Sequence, residues 1–502
     1  MTFLLLLIIY LIIFTFLSWK NQRWAIFLIL AALPSYAVRF NIGNIPMTLL
    51  EEMILILFFI WVARKTKLSL TNKRSVNDWS LISNFQFLIS NKISQSFGST
   101  QDKLLNYLIS NLKFTLPITI FLLSATISIF ISPNKLAALG IWKAYFIEPV
   151  LFLIVFIDVL KENKNFYNFI ASALSIPALY ISIFAIYQKF TGFLVPLEYW
   201  QNSYHRVTSF FSYPNAIGLL LAPIVVILFG ALISPFPFST ARETRPATSL
   251  RLRIYFFTVA ILSIAAIIFA KSEGAIIALI AGAFIFIFLL PARRDEECLV
   301  STTPRKIKNL SLIITIIVIS LSAGVYFKYG KEWNLLFSKT NLFKLDNACD
   351  NSACEIYQKL TFQDVSGTLR RQMWQETFAM LKNRPVFGAG LAGYQETMKP
   401  YHTKNYVEIY LYPHNIILNF WSETGLLGLI AFIWIIILFF CSPSFARLRR
   451  QEEDRGSFSI YSTILIATMS VILIQGLVDA PYFKNDLAIL FWVIWGMMIL
   501  LL

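Results

Sequence analysis

"LYPHNIILNFWSETGLLGLIAFIWIIILFFC", residues 411–441, joins a group of polar side chains to an apolar run. A transmembrane helix needs about 20 largely apolar residues, and Ile416–Cys441 supplies them. His414, Asn415, Asn419 and Glu423 are each costly in hydrocarbon, and such residues persist where they line a cavity or take part in chemistry. Pro413 disfavours helix before it, so the helix is expected to begin around His414 and Asn415. Asn415, Asn419 and Glu423 recur every four residues with Ser422 beside them, one polar stripe on an otherwise apolar face. His414 is half a turn out of phase with Glu423. Glu423 therefore reads as an internal anchor for a neighbouring helix, and His414 as facing out of the membrane.

The rest of the chain repeats the apolar theme. Of 502 residues, 57% are hydrophobic and 14% charged, with mean hydropathy +0.66. Soluble domains carry about 25% charged residues, so a polytopic membrane protein is indicated. Spans are expected near 3–18, 24–38, 47–62, 115–132, 141–160, 167–187, 213–233, 254–270, 274–291, 310–328, 414–441, 457–476 and 485–502. The first run has neither a basic leader nor a small-residue cleavage site and reads as a span. The fold class is all-α, with 12–13 transmembrane helices and one long, partly helical extracytoplasmic loop. Its parts are helices in 1–62, a polar cytoplasmic insertion at 63–114, helices in 115–328, the loop at 329–413, and helices in 414–502.

A formal charge of +16 raises the question of nucleic acid. The cations sit elsewhere: segments 19–23, 63–114, 161–166, 234–253, 292–309 and 441–457 hold more than half of the 43 Lys and Arg. The alternate short loops hold Arg39, Lys135, Lys143, Lys189, Arg206, Lys271 and Lys484. That is the positive-inside bias, with the N-terminus outside and the C-terminus cytoplasmic. It excludes nucleic acid as the partner and places His205, His402 and His414, the three histidines, outside.

In the long loop, Cys349 and Cys354 lie where oxidation is permitted, so a small-loop disulfide is expected; Cys298 and Cys441 fall at cytoplasmic borders. "LRRQMWQETFAMLKN" (369–383) has helical apolar spacing at Leu369, Met373, Trp374, Phe378 and Leu381, and predicts a surface helix acting as a lid. "GAGLAG" (388–393) matches a dinucleotide-binding pattern by letter. It follows a helix rather than a strand and reads as a turn that ends that helix.

A helix N-terminus offers unpaired N–H groups and a positive field, which attracts anions and favours a neutral imidazole. His414 at such a mouth is a candidate general base. Arg206, in "SYHRVTSFFSYPNAIGLLLAP", and Arg370 and Arg371, opening the surface helix, are candidate anion ligands with guanidinium geometry suited to phosphate. Snorkelling to headgroups explains any single arginine equally well. No histidine–carboxylate spacing gives a metal site, no cofactor is indicated, and no serine–histidine–acid set is present.

Three stretches, "RVTSFFSYPNAIGLLLAP", "SGTLRRQMWQETFAMLKNRPVFGAGLAGY" and "YPHNIILNFWSETGLLGLIAF", together resemble the O-antigen ligase and O-antigen polymerase superfamily of bacterial membrane glycosyltransferases. The resemblance spans about residues 200–440. It is carried best by His414-Asn415 followed by Glu423, Gly425 and Gly428, and by Arg370, Trp374, Pro385, Gly388 and Gly390. It implies glycan transfer from undecaprenyl diphosphate to a hydroxyl of a glycolipid, glycan or protein acceptor, in the bacterial cell membrane with the site facing out. No metal, cofactor or nucleotide sugar is implied. Arg206 and Arg370 would hold the diphosphate and His414 would deprotonate or orient the acceptor, with Arg371, Lys271, Asn215, Asn415 and Glu423 in support. Many relatives carry Ser-Arg-Gly where this chain has "AKSEGAIIAL"; Glu273 takes the arginine position and Lys271 is the nearest cation. Ligase and polymerase both remain open at this point. So do a flippase or transporter, although no internal repeat is seen, and a non-catalytic scaffold.

Overall fold

The computed structural model describes residues 2–43, 45–71, 100–200, 205–233, 246–289, 365–403, 408–447 and 455–501. The candidate span 310–328 and cysteines 298, 349 and 354 lie outside the described residues, as does 72–99 of the polar insertion. Cys441 is an exposed free thiol.

The chain is an all-α polytopic membrane protein. Helices α1 (Thr2–Lys20), α2 (Gln22–Ala31) and α3 (Leu49–Thr71) form the N-terminal part. They are followed by α4 (Thr100–Ile131), α5 (Lys135–Ile141), α6 (Glu148–Leu160), α7 (Phe166–Thr191) and the short α8 (Leu197–Trp200). Next come α9 (Asn215–Ile233), α10 (Pro246–Phe269) and α11 (Glu273–Leu289). Then α12 (Val365–Asn383) and α13 (Tyr394–Met398) form the lid, and α14 (Ile416–Arg447), α15 (Arg455–Gly476) and α16 (Asn485–Leu501) end the bundle. Phe114–Ile131, Phe166–Thr191, Asn215–Ile233, Leu250–Phe269 and Ile416–Ser442 are long and apolar enough to cross a membrane.

Several elements depart from the expected spans. The second is cut short: α2 gives way to a 3-10 turn, Leu33–Ala37, whose Pro34 lacks the N–H needed to continue an α-helix. An antiparallel hairpin, Arg39–Ile42 with Ile45–Thr48, leads into α3. Thr48 and Glu51 form a reciprocal cap there: the Thr48 amide donates to Glu51 Oε2 at 2.7 Å and the Glu51 amide to Thr48 Oγ1 at 3.3 Å. The span expected at 141–160 contains a π-helical turn, Trp142–Ile147, between α5 and α6. Both ends of the polar insertion are helical, since α3 runs on to Thr71 and α4 starts at Thr100.

Because lipid is as apolar as a leucine side chain, close packing and buried hydrogen bonds hold such helices together. α14 packs on α4, α11 on α15, and α16 on α6. At one end of the bundle Phe121, Phe146, Phe420, Phe483, Phe491 and Trp492 surround Tyr482. Tyr482 is fully buried; its hydroxyl donates to Tyr145 O at 2.8 Å and accepts from Trp492 Nε1 at 3.0 Å. Tyr482 belongs to the loop between α15 and α16, so this plug fixes residues 477–484 against the bundle.

The same end holds the lid. α14 is interrupted at Gly425 (φ 70°, ψ −178°), which frees backbone groups on either side. The glycine-rich turn after α12 fills the gap: the Ala389 amide donates to Ser422 O at 2.7 Å and the Leu426 amide to Val386 O at 2.8 Å. A side chain on Gly388 (φ +64°) would run into the carbonyls of Trp421 and Ser422, and one on Gly425 into that of Val386. Trp421 Nε1 donates to Pro385 O at 2.7 Å. The turn does end the surface helix, as expected, and it also splices into a broken membrane helix.

Candidate active site

α9, α11, α14 and α16 begin at this end, and α10 and α15 finish there. Their connecting loops bring the sequence-predicted residues together around a residue that the sequence reading did not single out, Asp479.

Asp479 lies in "LVDAPYFK" (477–484) and is 5% exposed. Its Oδ1 accepts from the Ala480 amide at 2.9 Å and faces His414 Nδ1 at 3.1 Å. Its Oδ2 accepts from Asn215 Nδ2 at 3.2 Å. Asn215 Oδ1 in turn accepts from the Arg206 guanidinium at 2.7 Å. Arg206 also donates through Nε to Ala270 O at 2.9 Å and through a terminal nitrogen to Lys271 O at 3.4 Å. Imidazole, carboxylate, carboxamide and guanidinium thus form one hydrogen-bonded chain across three connections, those leading into α9, α14 and α16.

Each member is held by its own segment. Buried Gln188 of α7 pins the loop after Arg206, accepting from the Thr208 and Ser209 amides at 3.1 and 2.6 Å. Asn415 is the N-cap of α14, with Oδ1 accepting from the Ile417 and Leu418 amides, and its Nδ2 donates to Leu477 O at 3.0 Å. His414, just before the cap, has φ +48°, a left-handed conformation that costs a non-glycine residue strain. Tyr410 packs edge-on against its ring, with centroids 5.7 Å apart.

The lid helix clamps both sides of the pair. Arg370 Nε donates to Val478 O at 3.0 Å, and Trp374 Nε1, one turn on, donates to Pro413 O at 2.9 Å. α12 is thereby tied to the residue before Asp479 and to the residue before His414. Arg371, the next residue, is exposed.

Burial alone would raise the Asp479 carboxyl. The hydrogen bond from His414, the Ala480 amide and the charge of Arg370 outweigh it and bring the group below the ordinary carboxylate value. Burial lowers the Arg206 guanidinium from its ordinary value, opposed by Glu273, Tyr199 and Asp479. Glu273, at the position where an arginine was sought, therefore acts on Arg206 as a nearby anion, and Lys271 joins the cluster through its carbonyl.

Glu423 corrects an expectation. It is fully buried, but its Oε2 accepts from the Ala392 amide of the lid turn at 2.7 Å; it anchors the lid rather than a neighbouring membrane helix. Asn419, on the same stripe, is also fully buried, and its carboxamide has no partner among the described residues. His205 packs edge-on against Trp200, with ring centroids 4.8 Å apart. His402 Nδ1 faces Glu376 Oε2 at 3.1 Å within the lid.

A backbone clasp joining residues 386–389 to a broken helix that starts with His-Asn is the shared core of the motifs noted above. Residues 258–433 match the O-antigen ligase family. By that segment the chain is similar to the O-antigen ligase superfamily, and no curated protein matches it. The O-antigen ligase match takes in Lys271, Arg370, His414 and Glu423. Arg206, Asn215 and Asp479 fall outside the matched residues and join the site only in space.

Proposed function

We propose that the protein is a glycosyltransferase that moves a glycan from undecaprenyl diphosphate to an acceptor hydroxyl at the outer face of the bacterial cell membrane. The observation that carries this reading is the chain His414–Asp479–Asn215–Arg206, with Arg370 bonded to the residue before Asp479. A base oriented by a carboxylate, beside two permanent cations, suits attack on a sugar whose leaving group is an anion.

With Nδ1–H donated to Asp479, His414 presents Nε2 as proton acceptor. The acceptor O–H gives its proton to Nε2 as its oxygen attacks the anomeric carbon, and the bond from that carbon to the diphosphate oxygen breaks. The electron pair leaves with undecaprenyl diphosphate, whose charge Arg206 and Arg370 counter. A guanidinium carries five N–H donors, more than Arg206 uses on Ala270, Lys271 and Asn215. Displacement from the opposite face inverts the anomeric centre.

The outward orientation is supported by the opposite end of the bundle, where Lys65 and Lys161 pair with Asp158 and Arg64 bonds to Trp19 O. A carrier-only role fits less well. Broken helices of transporters line a cavity, whereas here the break at Gly425 is closed by the lid turn. The O-antigen ligase match fits ligation and chain extension alike, and ligation is the reading put to the test here. Purified protein in nanodiscs, given lipid-linked glycan and acceptor, tests this: glycan released onto the acceptor is the expected product. Longer glycan still on the carrier would make it a polymerase, and no transfer under either condition would reject the enzyme.

A further inference from the structure

The lid turn carries apolar side chains on its surface. Val386 and Phe387 are 55% and 54% exposed, and Phe378, near the end of α12, is 49% exposed. The Val386 carbonyl accepts from the Leu426 amide at 2.8 Å, and the Phe387 backbone lies against Gly425. The Phe378 ring meets Trp421 edge-on, with centroids 6.5 Å apart. Leu426, Leu427 and Ile430 of α14 are exposed beside them. One apolar surface therefore joins the lid to the exposed face of a helix long and apolar enough to cross a membrane.

Helix lengths give the depth of the turn. The crossing stretch of α14, Ile416–Ser442, has 27 residues, about 40 Å at 1.5 Å per residue. A hydrocarbon core is about 30 Å thick, so about 10 Å of the stretch is surplus. α4, packed against α14, marks the end where the surplus lies. Its crossing stretch, Phe114–Ile131, has 18 residues, about 27 Å, and nearly fills the core. Gly428 of α14 faces Ser124 of α4, since a side-chain carbon there would come within 2.9 Å of Ser124 Oγ. Gly425, almost one turn nearer the site, is then level with Ile127, inside the crossing stretch of α4. The lid turn shares that level. The Leu391 amide donates to Ser128 O at 3.4 Å, and a side chain on Gly390 would strike the Ser132 backbone.

Irregular backbone at such a depth is tolerated only where the protein satisfies its polar groups. The clasp does this: the Pro385 and Val386 carbonyls accept from Trp421 Nε1 and the Leu426 amide, and the Ala389 amide donates to Ser422 O. The Gly388 and Gly393 amides donate within the turn, to Arg384 O at 3.0 Å and Gly390 O at 2.9 Å. Residues 378–393 contain two cations, the exposed Lys382 and Arg384, and no acid. Long stems let such charges reach lipid phosphates while neighbouring apolar side chains stay deeper. We propose that residues 385–388 form a re-entrant turn that enters the leaflet on the side of the site. Phe378, Val386 and Phe387 lie against acyl chains, and Lys382 and Arg384 meet headgroup phosphates. The lid is thereby anchored in the bilayer as well as clasped to α14. This goes beyond the transfer reading and holds whatever reaction the site performs.

The test measures depth. In the full-length protein with its four cysteines replaced by serine, Phe387→Cys carries an environment-sensitive fluorophore. The protein is reconstituted into phosphatidylethanolamine–phosphatidylglycerol vesicles. Thr403→Cys, at an exposed position of the lid, is the aqueous reference. The label at 387 is expected to emit at shorter wavelength, to be quenched by nitroxide on lipid acyl chains, and to be protected from iodide, an anion that hydrocarbon excludes. The label at 403 should show the reverse. Iodide quenching at 387 as strong as at 403 overturns the proposal. So does quenching by neither agent, which would mean that protein, from this chain or a second copy, covers the turn. If the serine-substituted chain does not insert, benzoylphenylalanine at position 387 of the otherwise native chain decides. Irradiation should give a phospholipid adduct by mass spectrometry, and its absence at 387 overturns the anchor.

Discussion

His414 and Asp479, 65 positions apart in the chain, meet through Nδ1 and Oδ1 at 3.1 Å where α14 begins and α15 ends. The carboxylate fixes the imidazole tautomer, and it is itself fixed by Asn215 and the Ala480 amide. A positive helix end alone would leave the ring unoriented; the acid across the loop gives it a direction.

Asp479→Asn is therefore expected to lower kcat by about two to four orders of magnitude, the usual contribution of general-base catalysis. KM should be little changed. The substitution places an amide against Asn215 Nδ2 or His414 Nδ1, so the ring loses its defined tautomer. Single-turnover transfer checks it, with circular dichroism confirming the helices.

Arg206→Lys keeps the charge and loses the fork. Arg206 bonds to Ala270 O, Lys271 O and Asn215 Oδ1 at once, which a lysine ammonium on a flexible stem does not reproduce. Donor KM is expected to rise about tenfold or more, against a smaller change for the acceptor, measured by varying each substrate in turn.

Glu423→Ala removes the partner of the part-buried Ala392 amide. An unsatisfied buried donor costs about 1–3 kcal/mol, so the thermal midpoint should fall and amide exchange at 384–393 should speed up. Gly388→Ala should do the same through its positive φ and the collision with Trp421 and Ser422 carbonyls. Exchange mass spectrometry on both variants is the check.

The lid should loosen in acid. Burial raises the Glu376 carboxyl, but the bonds from Gln372, Thr403 and His402 outweigh it and hold the group below its ordinary value. A group with a depressed folded-state pKa stabilises above its unfolded value, and that stability is lost as pH falls through the folded value. Protection of residues 369–383 should thus be steady at neutral pH and drop below the ordinary carboxylate range. In Glu376→Gln that drop should disappear.

Much of this site was legible in the sequence. Arg370 and Trp374 stand four apart on a helix with clear apolar spacing, and the structure uses both from one face of α12. The helix start expected around His414 and Asn415 is there, with Asn415 as its cap. Asp479 was not legible, because positive-inside counting weighs lysine and arginine and takes almost no notice of acids. Its signal was a lone carboxylate in the short loop "LVDAPYFK" between two apolar helices. The interruption at Gly425 was hidden for another reason: the freed backbone groups find their partners some 33–40 residues upstream, at Val386 and Ala389, so no local pattern marks them. The four-residue strands of the hairpin were likewise too short to stand out from the flanking apolar runs.

Orientation has its own test. α14 runs from the site to Cys441, about 38 Å along a helix rising 1.5 Å per residue. A cysteine placed at Thr403 is expected to react with a membrane-impermeant maleimide added outside intact cells, while Cys441 should react only after permeabilisation. The reverse pattern would put the lid in the cytoplasm.

The central claim is that His414 takes the acceptor proton beside a lipid-borne diphosphate. Its most direct test is the transfer rate of His414→Ala in nanodiscs with native lipid-linked glycan and saturating acceptor, compared with wild type at equal insertion. Transfer falling to background while the variant still binds the donor is the predicted result. A variant that transfers glycan at the wild-type rate would contradict it.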